Sequence, residues 1–275
     1  MRVQTADVIC VLGDAHLDVV VRVSGPLAEE TDTPATTSFG AGGQAANVAA
    51  WVVALGGRSR LIAARGTDLG AALVTQELAR RGVDLVGPVI DGKTGVVVSI
   101  SDGGSKRSML TDRGVGTELA AGALRPEWLD ECAWLHVPAY SLICEPVRGA
   151  ALAAARAART PPRSARLSID LSSTAALTAY GVANFRALIT RLRPDVVLGN
   201  QAEAALVGDL PGTELIVKLG PGGVRAAGRL FPVLPTRPAD STGAGDAFAA
   251  GYLVGGVTLG LEAAARAVAR MGAMP

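Results

Sequence analysis

The segment that decides the fold is DSTGAGDAFAAGYL, residues 240–253. Glycine adopts backbone conformations that other residues avoid, so Gly243 and Gly245 allow a tight turn that brings successive N–H groups close to a ligand. The apolar residues that follow predict a helix over 244–253, and the first turn of a helix presents unpaired N–H donors and the positive end of the helix dipole. The segment therefore predicts an anion-binding turn, of the kind that holds a phosphate group.

Asp246 falls in the first turn of this predicted helix. The dipole favours its ionised form, which can accept a proton from an alcohol while the amides of Gly243, Ala244 and Gly245 hold the charge of a transferring phosphoryl group. An ordinary glycine-containing turn with an aspartate at a helix start explains the same residues without a ligand. Read alone, the tetrad GAGD does not decide between the two interpretations.

A second glycine-rich turn, Gly42-Gly43-Gln44, precedes a helix predicted over 44–55. Asn47 lies one helical turn inside it, and its amide can both donate to and accept from hydroxyl groups. An alternative is that Gly40-x-Gly42-x-x-Ala45 forms a dinucleotide-binding fingerprint. The acidic residue expected at the end of the next strand is missing, and Arg65 stands there instead.

Two further segments have both a ligand-binding and a purely structural interpretation. Asn200 and Glu203 follow a predicted strand and lie on one side of a helix start, where they can order a hydrated Mg²⁺ near phosphates or simply form a capping box. The segment 217–223 (VKLGPGG) leads from a strand into a glycine loop, which either wraps a nucleotide or makes a plain hairpin turn. The GxxxxGK[ST] pattern of a P-loop is absent from the sequence.

Strand-like and helix-like runs alternate along the chain, which indicates a mostly parallel sheet covered by helices. The predicted strands are 7–12, 60–64, 84–90, 134–137, 167–170, 195–198 and 215–219; the other predicted helices are 69–81, 146–159, 182–192 and 261–271. Two irregular regions, about 14–39 and 92–111, predict short antiparallel strands of a small separate sheet. The charged residues Lys106, Arg107 and Arg113 flank the second of these regions. They either bind an acidic or phosphorylated acceptor or are solvated turn charges, and the second interpretation is preferred.

Composition excludes several classes of function. The net charge of +1 indicates neither nucleic acid nor an anionic membrane as a partner, and no apolar run is long enough to span a bilayer. The cysteines Cys10, Cys132 and Cys144 lack the spacing of a metal or redox site. The N-terminal residues read as a first strand and not as a signal peptide. A cytoplasmic protein with reduced thiols is expected.

The four segments, in this order, resemble the ribokinase or PfkB family of carbohydrate kinases. GGQAANVAAWVVALGG is similar to the first signature of that family and DSTGAGDAFAAGYL to the second, and the resemblance covers essentially the whole chain, residues 1–275. The strand-following residues Gly13 to Asp18 resemble its N-terminal element. The resemblance implies one three-layer α/β/α kinase domain, with the small sheet as a lid over the site.

The resemblance also implies roles for individual residues. Asp246 matches the catalytic base, and Gly243, Ala244 and Gly245 match the anion hole. The implied acceptor-side residues are Asp14, His16, Asp18, Gly42, Gly43, Gln44 and Asn47. The implied nucleotide-side residues are Asn200, Lys218, Leu219, Gly220, Gly223 and Gly272. Asn200 and Glu203 match the element linked to Mg²⁺ through water, and Asp240 and Thr242 resemble the K⁺ site of potassium-activated members.

The expected function is therefore ATP-dependent phosphorylation of a sugar or sugar acid hydroxyl. Lys218 points towards sugar acids, because some sugar-acid kinases have lysine at this position. Two alternatives stay open, a nucleoside kinase acting on adenosine or pseudouridine and a sugar-binding pseudokinase. ATP and Mg²⁺, with K⁺ as a possible addition, are the expected cofactors, and the lid's edge strand suggests a homodimer.

Overall fold

The computed structural model describes residues 7–101 and 107–275, with Arg107 described by its backbone alone. In chain order the strands are β1 (Val8–Leu12), β2 (His16–Val23), β3 (Ala35–Gly42), β4 (Arg58–Ile62), β5 (Asp84–Val86), β6 (Thr94–Ser101), β7 (Arg107–Gly114), β8 (Cys132–Pro138), β9 (Arg166–Asp170), β10 (Val196–Asn200), β11 (Glu214–Lys218), β12 (Val224–Ala226) and β13 (Arg229–Phe231). The α-helices are α1 (Gln44–Ala54), α2 (Leu69–Arg80), α3 (Ala139–Ile143), α4 (Val147–Ala158), α5 (Thr174–Tyr180), α6 (Val182–Leu192), α7 (Gln201–Val207), α8 (Ala244–Gly255) and α9 (Val257–Val268).

The main sheet has the spatial order β13-β12-β11-β10-β9-β8-β1-β4-β5. All neighbours from β11 to β5 pair in parallel, and β12 and β13 add an antiparallel edge. From β1 the chain builds the sheet outward through β4 and β5, then crosses to β8 and builds it in the opposite direction. The carboxyl ends of β1 and β8 therefore flank a topological switch point, where open α/β sheets bind their ligands.

Helices cover both faces of this sheet. One core contains residues of α1, α2, α8 and α9, among them the buried Trp51, Leu78 and Phe248. The other contains residues of α4 to α7, including the buried Leu177 and Phe185. This arrangement confirms the predicted three-layer α/β/α fold.

The high glycine and alanine content has a packing reason, which the α8–α9 pair illustrates. A Cβ atom on Gly251 would lie 2.5 Å from the carbonyl oxygen of Leu259, and one on Gly260 would lie 2.8 Å from the Phe248 ring. Side chains larger than hydrogen at these positions would separate the two helices. Small residues thus let α8 approach α9 closely, and this packing fixes the position of the helix that begins at the glycine turn.

The second sheet has the order β3-β2-β6-β7 and spans residues 16–42 and 94–114, close to the predicted lid segments. Its two hairpins, β2–β3 and β6–β7, are antiparallel as predicted, and they join through a parallel β2–β6 pairing. Residues 102–106 between β6 and β7, Lys106 among them, lie outside the described residues, as does the side chain of Arg107. We refer to this four-stranded sheet as the lid.

Several predicted boundaries differ from the structure. The strand predicted over 84–90 ends at Val86, because Gly87 has a φ of 132° and a Cβ there would clash with the Ala63 carbonyl. The last helix begins at Val257, four residues earlier than predicted, directly after Gly256. The short helices α3 and α5 were not predicted. Over the described residues, no helix has the length and apolar character needed to cross a membrane.

Candidate active site

The two glycine-rich turns predicted to share a site meet directly. Asn47 on α1 donates a hydrogen bond from Nδ2 to Oδ2 of Asp246 on α8, at 2.8 Å, although the residues are 199 positions apart in the chain. Both helices begin beside the carboxyl end of the main sheet, and β3 of the lid leads into α1 through Gly43. The N-termini of α1 and α8 and the Asp246 carboxylate therefore lie between the lid and the carboxyl edge of the main sheet. We refer to this region as the cleft.

The start of α8 has the geometry of an anion site. Gly243, its N-cap residue, has φ 73° and ψ 0°, and no side chain caps the helix. Within the described residues, the N–H groups of Gly245 and Asp246 have no backbone acceptor. A Cβ on Gly243 would lie 2.6 Å from the Cα atom of Ala273 in the C-terminal turn. Only glycine therefore fits here. The N–H groups of Gly245 and Asp246 are free to bind a ligand, whereas the N–H of Ala244 donates to the Ser241 carbonyl at 3.3 Å.

The carboxyl group of Asp246 titrates near neutrality. Burial raises its pKa, the charges of Asp170 and Asp14 raise it further, and the Asn47 hydrogen bond and the charge of Lys218 oppose the rise, so that the pKa is about 7. A general base works best when its pKa lies near the working pH. The pKa of Asp246 is thus suited to a general base, and its catalytic role remains a prediction.

Asp14, which follows β1 and is a predicted acceptor residue, holds the start of α1. Its Oδ1 accepts from the N–H of Ala45 at 3.1 Å, and its carbonyl accepts from Ala46 at 3.2 Å. Gly43, the N-cap residue, has φ 99°, and a Cβ there would lie 2.9 Å from the Asp14 carbonyl oxygen. The close approach of β1 and α1 therefore explains why this position is glycine.

Asp18 and His16 come from the first lid strand. The Asp18 carboxylate fills the space beside Gly42, where a Cβ would lie 2.0 Å from its Cγ atom. His16 is 2% exposed, with Nδ1 at 3.5 Å from Oδ2 of Asp14. The His16 ring is buried against Gly95 and Gly116. Its contact with an acceptor remains a prediction.

Two buried polar atoms at the cleft have no hydrogen-bond partner among the described residues, Oδ1 of Asn47 and Nε2 of His16. Buried polar groups are nearly always paired, so an unpaired one calls for an explanation. Asn47 donates one N–H to Asp246, and its Oδ1 atom has no donor among the described residues. An unused acceptor of this kind suits a residue that binds a substrate hydroxyl.

Ser172 is a site residue that sequence reasoning missed. It lies between β9 and α5 with φ 64°, an uncommon conformation for a residue other than glycine. Its Oγ donates to Oε1 of Gln44 at 2.7 Å and accepts from the N–H of Ala139, and its own N–H donates to Asp170. No local sequence pattern predicts this role. Ser172 therefore connects the first glycine-rich turn to the end of β9.

On the opposite side of the cleft, Asn200 and Glu203 form the predicted capping box at the start of α7. The N–H of Glu203 donates to Oδ1 of Asn200 at 2.9 Å, and the N–H of Asn200 donates to Oε2 of Glu203 at 2.8 Å. Burial raises the pKa of Glu203, and the nearby Asp170 charge adds to the rise, against the hydrogen bonds from Asn200. Helix capping accounts for the spacing, and the metal role remains a prediction.

Lys218 ends β11 and forms a buried ion pair with Asp170, which ends β9; Nζ lies 2.7 Å from Oδ2. The predicted strand over 167–170 placed an aspartate at the carboxyl end of a buried strand, a signal that could have identified Asp170 as a site residue. Sequence reasoning assigned Lys218 to the nucleotide but did not foresee this partner.

The glycine loop after Lys218 is a hairpin turn between β11 and β12. Leu219 donates its N–H to the carbonyl of Gly223 at 2.8 Å, and Gly220 is exposed. Gly223 has φ 94°, and a Cβ there would lie 2.1 Å from the Phe231 carbonyl oxygen. The structural interpretation of this loop therefore holds, and nucleotide contacts by the loop remain a prediction.

Asp240 ties the second signature to the C-terminal turn. Its Oδ1 accepts from the N–H and the hydroxyl of Thr242, and its Oδ2 accepts from the N–H of Gly272 at 3.1 Å. Trp51 of α1 donates to the carbonyl of Ala273 at 2.8 Å. Gly272 thus lies beside the glycine turn. The predicted K⁺ role of Asp240 and Thr242 remains a prediction.

Two sequence interpretations are wrong. Gly40 and Gly42 belong to β3 of the lid, which pairs antiparallel with β2, so the dinucleotide fingerprint lacks its parallel strand. Arg113 is no solvated turn charge, because its guanidinium carbon lies 4.3 Å from the centre of the Tyr140 ring on α3. A side chain at the end of β7 thus reaches across the cleft from the lid to the main body.

Comparison with known proteins shows the family to which this chain belongs. The sequence profile described as "pfkB family carbohydrate kinase" matches residues 6–274. A fructokinase from Klebsiella pneumoniae is 31% identical in an alignment of 273 positions that covers 90% of this chain and 83% of the relative. The predicted family resemblance is confirmed.

Solved structures show the same fold. The adenosine kinase of Sinorhizobium meliloti has a TM-score of 0.85 at 22% identity and covers 99% of this chain and 96% of its own. An uncharacterized sugar kinase from Pyrococcus horikoshii, solved in complex with ATP, has a TM-score of 0.80 at 22% identity and covers 96% and 93%. At such identities the similarity concerns the fold.

Proposed function

Since the chain belongs to the pfkB family of carbohydrate kinases, we propose that it transfers the γ-phosphoryl group of ATP to a hydroxyl group of a sugar or sugar acid. The family confirms the predicted class of activity, a phosphotransfer to an alcohol group of a carbohydrate. The observation that carries the finer proposal is the hydrogen bond between Asn47 and Asp246. This bond joins the two glycine-rich turns at a carboxyl group whose pKa is about 7, which supports the proposed role of Asp246 as the base.

In the proposed reaction the acceptor oxygen bonds to the γ-phosphorus, the bond from phosphorus to the β,γ-bridging oxygen breaks, and ADP leaves. The hydroxyl proton passes to Asp246, and the amides at Gly243, Ala244 and Gly245 stabilise the charge on the phosphoryl oxygens. The acceptor-side residues are Asp14, His16, Asp18, Gly42, Gly43, Gln44 and Asn47. The nucleotide-side residues are Asn200, Lys218, Leu219, Gly220, Gly223 and Gly272. All of them belong to one proposed kinase domain, residues 1–275.

Magnesium fits this site as part of a metal–nucleotide complex. Among the described residues, no group of three or more histidine, cysteine, aspartate or glutamate side chains is arranged to hold a metal ion by itself. Mg²⁺ commonly keeps several waters and binds through one or two carboxylates plus phosphates. Oε2 of Glu203 accepts from the backbone N–H of Asn200, so that the two polar side chains lie together at the start of α7. Glu203 and Asn200 are therefore the residues proposed to hold its water shell, and the ion would neutralise phosphate charge.

We expect the activity to depend on pH through Asp246. Below about pH 7 the carboxyl group is protonated and cannot accept a proton, so kcat/KM should fall about tenfold per pH unit, and it should level off above pH 7. Replacing Asn47 with Ala removes a hydrogen bond that lowers this pKa, so the midpoint should move to higher pH. Direct measurement of ADP release across pH 5–9 avoids coupling enzymes. A profile that stays flat down to pH 5 would exclude Asp246 as the base.

An acceptor panel tests the proposed function. Purified protein with Mg²⁺-ATP should release ADP in the presence of D-fructose or another sugar or sugar acid, and mass spectrometry should detect the phosphorylated product. Adenosine and pseudouridine belong in the panel, since a nucleoside kinase would phosphorylate them instead. The absence of transfer to any acceptor would favour a sugar-binding pseudokinase, an alternative that the intact Asp246 opposes.

The lid suggests self-association. Strand register places Phe39, Val19, Val98 and Leu110 in one row, on the opposite face from Asp18. Phe39 is 69% and Leu110 is 59% exposed. Exposed apolar patches and open sheet edges mark interaction surfaces. We propose that a second copy of the chain covers this face, and that the protein works as a cytoplasmic homodimer.

Sedimentation of the wild type should give a dimer, and the F39D/L110D variant should give a folded monomer. Circular dichroism controls for folding. A wild type that stays monomeric at micromolar concentration would exclude the lid dimer.

A further inference from the structure

The ion pair between Asp170 and Lys218 lies beside the glycine turn at the start of α8. In the reaction described above, Asp170 has no role, and Lys218 is assigned only to the nucleotide side in general. Nζ of Lys218 lies 2.7 Å from Oδ2 of Asp170, and the two side chains are 17% and 3% exposed. Strand β10 separates β9 from β11, and the register aligns Asp170 with Leu198 and Lys218 with Asn200. Both side chains therefore project from the carboxyl edge of the sheet towards the same cleft.

The ammonium group lies against the glycine turn. A Cβ on Gly245 would lie 3.2 Å from Nζ of Lys218, and Nζ is the nearest atom to that position. The ammonium is thus next to the amides that are free of acceptors at the start of α8. An anion bound by those amides would lie close to the ammonium as well, because Nζ is adjacent to the turn.

Asp170 is itself held rigidly. Its Oδ1 accepts the N–H of Ser172 at 2.9 Å, and the hydroxyl of Ser172 donates to Gln44 at the first glycine-rich turn. Burial alone would lower the pKa of Lys218, but the charges of Asp170, Glu203 and Asp246 outweigh burial and raise it. Lys218 therefore stays protonated, and its flexible side chain is restricted to one place.

Stability does not account for this pair. Taking two charges out of water costs about as much as their attraction returns, and apolar replacements of buried ion pairs are often neutral or stabilising. A fixed cation at a phosphate-binding turn, by contrast, stabilises the charge of a phosphoryl group in transfer.

Resting on the proposed function, we infer that Lys218 is a catalytic residue that binds a non-bridging oxygen of the transferring phosphoryl group. We further infer that Asp170 is a positioning residue that holds Lys218 against the glycine turn. Lys218 donates hydrogen bonds and keeps its proton throughout, and the acceptor proton still passes to Asp246.

The test compares K218M, D170N, K218R and the double variant D170N/K218M. K218M should lower kcat about 100-fold or more, with the KM for the acceptor changed by less than about threefold. K218R should recover part of the loss. Because Asp170 acts through Lys218, the double variant should be no slower than K218M within about threefold.

The double variant also guards against misfolding, since it replaces the ion pair with neutral groups of similar size. D84N serves as the matched control, because Asp84 forms a strand-linking ion pair with Arg60 away from the cleft. That variant should shift the melting temperature at most and leave kcat unchanged. A double variant with wild-type kcat, or losses in the two single variants that multiply, would overturn the inference.

A nucleotide-binding measurement separates this inference from the proposed function. If the wild type phosphorylates no acceptor, the proposed function fails, but calorimetry with the ATP analogue AMP-PCP and Mg²⁺ still tests Lys218. K218M should bind the analogue about tenfold or more weakly than D84N. Equal affinity of these two variants would overturn the role of Lys218.

Discussion

The variant D246N should lower kcat by about two to four orders of magnitude, because an amide cannot accept the proton of the acceptor hydroxyl. The change is nearly isosteric, and the new side chain can still accept the hydrogen bond from Asn47. Burial disfavours the ionised form of this carboxyl group, so its removal should not destabilise the fold. Steady-state kinetics with the best acceptor, together with a melting curve, measures both effects.

The matched control for D246N is D209N, since Asp209 is an exposed residue in the loop between α7 and β11. It removes the same charge at a place without contact to the cleft and should keep wild-type turnover. If D246N turned over at a near-normal rate, another group would have to be the base.

The second large effect is expected for G243A. Alanine at this N-cap would place its Cβ 2.6–2.7 Å from backbone and side-chain atoms of Ala273, and the φ of 73° disfavours any residue with a Cβ. The turn or the C-terminal segment must move, and misplacement of the bare amides should lower kcat about 100-fold. Kinetics and thermal melting again provide the measurement.

The control for G243A is G228A in the β12–β13 hairpin. Gly228 has the same φ of 73°, and a Cβ there would meet no atom within 4 Å. Backbone strain should cost both variants about 1 kcal/mol of stability. G243A should lose more than G228A, because its Cβ also clashes with Ala273. Only G243A should lose turnover, and equal turnover in the two variants would show that the turn does not position a reacting group.

Short sequence patterns were sufficient to predict those parts of the site that depend on residues close together in the chain. Glycines before an apolar helix predicted the turn at Gly243, and the spacing of Asn200 and Glu203 predicted a capping box that the structure contains. The alternation of strands and helices predicted the layered fold. These features follow from the backbone preferences of residues within one or two turns.

The meeting of Asn47 and Asp246 could not be derived from local patterns, because it depends on how α1 and α8 pack on one face of the sheet. The family resemblance provided that expectation. The Asp170–Lys218 pair and the Arg113–Tyr140 contact likewise join residues 48 and 27 positions apart, through strand order and lid placement. A serine with positive φ, as at Ser172, has no sequence signal at all.

The most direct measurement is a crystal structure of the protein with AMP-PCP, Mg²⁺ and the best acceptor from the panel. We predict the γ-phosphate on the amides at Gly243–Gly245 and one acceptor hydroxyl at about 3 Å from a carboxylate oxygen of Asp246. Phosphates bound away from the glycine turn, or an acceptor whose hydroxyl groups all lie beyond reach of Asp246, would contradict phosphoryl transfer at this site.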